Sequence, residues 1–208
     1  DLSYVKLHDV DMGSSTLTGS DMSGADLSGV NFVGSIGLFD ALDGNFIKQI
    51  HNVNMTNLVL TNIDLKNVHE KISDSNLTNA TLTNVELDGL TLINVNLTSA
   101  NLSNGDLSGV TIDPSCNLTN CNISNIKLDK AIVEHVDFSQ SLNVNTVNFH
   151  KLLNHSLKHT KFNGVNMANK DLSGLDFTGA DLTGAILDGA DLTGANFTNA
   201  KLNGVSLI

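Results

Sequence analysis

A large apolar residue returns at every fifth position along much of this chain. The last stretch reads Leu152, Leu157, Phe162, Met167, Leu172, Phe177, Leu182, Leu187, Leu192, Phe197, Leu202, Leu207. Two residues before each centre usually sits a small one, as in Ala180, Ala185, Ala190, Ala195 and Ala200. Asp, Asn or Lys lies between, and Ser/Thr then Gly/Asn follow, as in Ala190-Asp191-Leu192-Thr193-Gly194. A period of five is neither 3.6 nor 2, so neither an ordinary helix nor an ordinary strand accounts for it. It is an internal repeat, and the chain reads as one quasi-linear array.

The geometry of such a unit is constrained. If one large and one small residue per pentad point inward, each pentad forms a flat side followed by a turn. Gly and Asn at the last position suit turns that need unusual backbone angles. Several sides must close into a coil, and coils must stack at strand-like spacing to satisfy their backbone and bury a continuous apolar column. The scarcity of aromatics, with no Trp and one Tyr, fits a narrow core of stacked Leu and Phe.

The pentads break at 35–52, 68–74, 114–115 and 141–160. In the first break Phe39, Leu42, Phe46, Ile47 and Ile50 recur at helical spacing, and in the last Phe149, Leu152, Leu153 and Leu157 do the same. The spacing predicts short helical or irregular insertions near 36–51 and 141–160. Pentads centred on Leu152 and Leu157 are the rival reading, which would place His150 and His155 in the small inward slot, an awkward place for imidazole.

Ala-Asp-Leu-Thr-Gly and Ala-Asn-Phe-Thr-Asn, recurring along most of the chain, resemble the motif of the pentapeptide-repeat family. The resemblance implies an all-β fold, a right-handed quadrilateral β-helix with four pentads per coil. The central apolar residue and the small residue two before it then face inward. About ten coils follow, a rod roughly 50 Å long at ~4.8 Å per coil. Both ends lie inside the pentad pattern, which leads us to expect residues 1–208 to be one module of a longer protein. Oligomeric state is not legible, although open coil ends would favour end-to-end association.

Chemistry is sparse. His155 and His159 would stand one turn apart on a helix, but no third ligand accompanies them, so no metal site is expected. Cys116 and Cys121 occupy consecutive small slots and read as core fillers. No nucleophile elbow or phosphate-binding loop occurs. Stacking at 20 residues aligns Glu86 and Asp106, with Asp88 beside them, a carboxylate cluster of the kind β-helix polysaccharide enzymes use. An Asp/Asn-rich outer position produces the same alignment unaided. We expect no enzyme and no cofactor.

All 11 basic residues are lysine, and the net charge is −11. That argues against a nucleic-acid partner. No apolar stretch is long enough to span a membrane. The resemblance also implies a B-DNA-mimicking gyrase binder as one alternative. B-DNA carries about one charge per 1.7 Å, or roughly 2.8 per ~4.8 Å coil. Here 22 acids less 11 lysines leave about one per coil, and residues 150–208 hold five of each. The reading preferred on these grounds is a non-catalytic scaffold that binds a protein partner. The pattern is also similar to repeat segments of bacterial effectors, which implies a bacterial cytoplasmic or host-delivered setting. Candidate contacts are Phe39, Leu42, Phe46, Ile47, Ile50, Leu153, His155 and His159 in the breaks, with the outward-facing Val59, Ile132 and Ile186.

Overall fold

The computed structural model describes residues 1–38, 42, 47, 50–68 and 71–208. Each regular pentad has one construction. In Asp181-Leu182-Thr183-Gly184-Ala185, Leu182 is buried. The Ala185 N–H donates to the Leu182 carbonyl at 2.9 Å, closing a four-residue turn. Gly184, third in that turn, has φ +69°, which is the type II pattern. Asp181 Oδ1 accepts the Thr183 N–H at 3.1 Å and its hydroxyl at 2.6 Å. Where an acid or Asn precedes the centre and a Ser or Thr follows it, the two form one staple that fixes the turn.

Coils stack in parallel. One column runs unbroken through Asp11, Asn31, Asn54, Asn76, Asn96, Asn117, Asp137, Lys161, Asp181 and Lys201. Most steps are twenty residues, as four pentads require. The steps Asn31–Asn54, Asn54–Asn76, Asn96–Asn117 and Asp137–Lys161 carry surpluses of three, two, one and four. Each surplus coincides with a break in the pentad pattern. Extra residues are looped out within their own coil, and the ladder resumes in phase. On an adjacent face the ladder widens into a parallel sheet of β1 (Ile50–His51), β2 (Lys71–Ser73), β3 (Thr91–Ile93) and β4 (Thr111–Ile112), with Ile72 opposite Leu92 and Leu92 opposite Ile112.

The core is a single column of the inward residues, from Leu7 to Leu187, most of them almost fully buried. At ~1.5–3 kcal/mol for each buried Leu or Phe, this column is the main favourable contribution to folding. Polar residues in the small slot are accommodated because the slot lies against backbone carbonyls. Ser141 Oγ donates to Leu118 O at 2.9 Å, and Thr160 Oγ1 to Leu157 O at 2.6 Å. The two cysteines are buried free thiols in the same position, as read from the sequence.

The breaks differ. Leu38 and Leu42 carry helical backbone and are buried, as are Ile47 and Ile50. Phe39 and Phe46 lie outside the described residues. The last break holds no amphipathic α-helix. It contains three single 3-10 turns, Val144–Thr146, Phe149–Lys151 and Leu153–His155. Phe149 and Leu152 are buried while Leu153 stays 43% exposed. Positive φ at Asn154 and His155 stops any helix from propagating. His155 does not enter the inward slot; it is exposed, and the pentad pattern resumes only at Leu157.

Candidate functional site

The exposed candidates divide. Ile132 and Leu153, far apart in sequence, line one groove of about 160 Å³ together with Val133, Glu134, Asn154 and Ser156. The groove exists because the last insertion interrupts the ladder there. Thr111 pairs with Ile132, and Ser156 with Asp176. Between Ile132 and Ser156 the Leu153 N–H instead donates to Ala131 O at 3.1 Å. The displaced turn leaves Ile132 and Leu153 partly exposed across the gap. Two of the groove's lining residues are joined, Ser156 Oγ donating to Glu134 Oε1. Ile186 lies on another face, in the ladder of Asn166 and Ser206. Leu42, Ile47 and Ile50 are core residues without free surface.

The histidines also separate. His155 meets His150 edge-on at 5.9 Å, and His159 stacks on His135 at 4.5 Å with planes 14° apart. The pairing of His155 with His159 expected from helical spacing does not form, because no helix joins them. No group of three potential metal ligands occurs among the described residues.

Bulky residues in left-handed turns concentrate around this insertion. Asn, Gly, Ser or Asp fill that position elsewhere, apart from Tyr4, but Lys130, His135, Gln140, His155 and His159 hold it here, with φ between 52° and 65°. Left-handed backbone costs ~1 kcal/mol or more per residue with a full side chain. Sequence reasoning marked the insertion and missed this cluster, although Lys130, His135 and Gln140 are visible departures at the Gly/Asn position.

Acid–base chemistry finds no support in the carboxylates. Glu86 and Asp106 are adjacent rungs, as expected. Each is turned to a lysine: Glu86 lies 2.9 Å from Lys66, and Asp106 lies 3.0 Å from Lys127. Burial pushes the Asp106 carboxyl up, but hydrogen bonds from Ser108 and Lys127 outweigh it and hold it below the usual range. The same staple lowers Asp137, Asp176 and Asp181. A general acid needs the opposite shift. Burial pushes the Cys121 thiol up to about 12, away from a nucleophile's range.

Lysines elsewhere repeat the pattern. Lys161 pairs with Asp137 at 3.1 Å, Lys201 with Asp181 at 3.3 Å, Lys158 with Asp176 at 3.4 Å and Lys151 with Asp129 at 3.6 Å. Stacked rungs bring like charges close, and a lysine one coil away relieves the repulsion.

No curated protein matches the chain. Among solved structures, it is similar to QnrB1, a plasmid-mediated fluoroquinolone resistance protein, at 16% identity over 77% of this chain and 84% of that one, with a TM-score of 0.47. It is also similar to HetL, a pentapeptide repeat protein involved in heterocyst differentiation regulation from the cyanobacterium Nostoc, at 20% identity over 99% and 90%, with a TM-score of 0.34. The pentapeptide-repeat family model matches in eight copies, over residues 1–36, 75–112, 156–189 and 176–208. With more than half of its length matched, and with the stapled pentads and parallel coils just described, the chain belongs to the pentapeptide-repeat family.

Proposed function

We propose that this rod is a non-catalytic module that binds a protein partner through the surface around the last insertion. The observation that carries the reading is the groove joining Ile132 and Leu153, set among five left-handed turns with bulky side chains. Strained backbone persists where something other than stability retains it, and insertions on a rigid scaffold are where contacts concentrate. The lowered carboxyls of Asp106, Asp137, Asp176 and Asp181 and the raised Cys121 thiol support a binding role over acid–base or thiolate chemistry.

The test is capture of a partner from bacterial or host lysate by the rod, compared with Leu153→Asp and Ile132→Asp. Both positions are solvent-facing, so the variants should fold. Loss of a captured protein with both variants supports the surface; capture unchanged by both overturns it. DNA mimicry remains the second reading, and the cross-coil lysine pairs weigh against it. The rod should leave gyrase supercoiling unaffected at micromolar concentration.

A further inference from the structure

We infer that the groove at Ile132 and Leu153 accepts a cationic side chain with an apolar stem, a lysine or arginine presented by the partner. The inference rests on the proposed binding surface and gives it a chemistry. The apolar Ile132 and Leu153 and the acidic Glu134 line one groove, and its volume of about 160 Å³ suits one long side chain. Long cationic side chains lay their methylenes on apolar surface and carry the charge to the far end.

The charge around Glu134 favours a cation. Ser156 Oγ donates to one of its oxygens, leaving acceptor capacity for a second donor. No cationic group of the described residues forms an ion pair with it. By contrast Asp106, Asp129, Asp137, Asp176 and Asp181 each pair with a lysine. One rung before Glu134 stands Asp113, whose carboxylate accepts from Ser115 and, among the described residues, pairs with no lysine. Two acids on successive rungs without a lysine make this the place on the face where an outside cation is needed.

One residue of the chain competes. The stacking sets Lys158 one rung beyond Glu134, but its ammonium is turned to Asp176 at 3.4 Å. The stacked His135 and His159 stand at the adjoining turns. Removing the Lys158 charge should therefore improve binding of an external cation.

The measurement is methyl NMR of the whole chain titrated with acetylated, amidated Gly-Arg-Gly, and with the same peptide carrying lysine, norleucine or glutamate. Expected are saturating shifts at the Ile132 and Leu153 methyls with arginine or lysine alone. Glu134→Gln, which keeps an acceptor for Ser156, should weaken binding roughly tenfold, the loss of one charge-assisted contact. Lys158→Met should tighten it. Equal shifts with norleucine, indifference to Glu134→Gln, or no shift with any cationic peptide overturns the inference. Lysate capture that fails with Leu153→Asp but survives Glu134→Gln removes the cationic anchor alone. Capture indifferent to both also removes the surface.

Discussion

The Lys170 ammonium lies 5.5 Å above the Phe149 ring. It donates to the Val147 carbonyl and, at 3.3 Å, to that of Asn145. Lys170 occupies the small slot two residues before Leu172, where the neighbouring pentads carry Val165 and Leu175 and later ones Ala180 and Ala185. Burial pulls its pKa down, with Asp171 opposing. Judged by repeat grammar, Lys170→Ala should be neutral or stabilising. The contacts predict the reverse, a loss of about 1–3 kcal/mol as two carbonyls lose a charged donor. Urea denaturation gives the sign, and hydrogen exchange should accelerate at 144–153 while 176–208 stays protected.

Asp26 predicts an acid-sensitive first coil. Burial pushes its carboxyl up, but hydrogen bonds from His8, at 2.9 Å, and from Ser28 hold it at about 2. A carboxyl depressed in the fold stabilises above its unfolded pKa of ~3.9. That contribution is lost as pH falls from about 4 toward 2. Asp26→Asn should lower stability at neutral pH by on the order of 1–2 kcal/mol and flatten the profile in this window. Thermal melts of both proteins between pH 2 and 7 provide the check.

The phenylalanine column should show a gradient. Phe162 is fully buried and contacts three rings: Phe138 at 5.5 Å, Phe149 at 5.8 Å and Phe177 at 6.3 Å. Phe162→Ala should cost ~3–5 kcal/mol. Phe197 stacks on Phe177 at 5.0 Å but is only partly buried, so Phe197→Ala should cost clearly less. Equal losses in chemical denaturation would contradict the packing.

Two glycines in the same turn position should respond differently. Gly179 and Gly194 have φ +68° and +69°. A Cβ on Gly179 would meet His159 Nδ1 at 2.4 Å, whereas one on Gly194 has nothing within 4 Å. Gly194→Ala should cost only the backbone strain, ~1 kcal/mol. Gly179→Ala should cost more and separate His159 from His135, seen as a change in their ring proton shifts.

Much of this fold was legible because its grammar is local. Leu182 faces inward, Gly184 turns and Asp181 staples within five residues, so no distant contact had to be guessed. The insertions were not legible in detail. Phe149, Leu152, Leu153 and Leu157 share the spacing of a helix, and that spacing cannot show that Asn154 and His155 adopt left-handed backbone. The groove was half visible: Ile132 was recognised as outward and Leu153 as part of a break. Their meeting depends on which coil absorbs the four surplus residues between Asp137 and Lys161, and therefore on stacking, a long-range property.

The column from Asp11 to Lys201 carries a consequence for how such a chain can change over generations. Because each surplus is discharged within its own coil, lengthening a loop near Leu153 leaves Lys161, Asp181 and Lys201 where they were. A residue added inside a regular strand would instead flip the side chains that follow it to the other face. Here the molecule separates how long its chain is from where its parts stand, so a contact surface can be rewritten without renegotiating the rest of the structure.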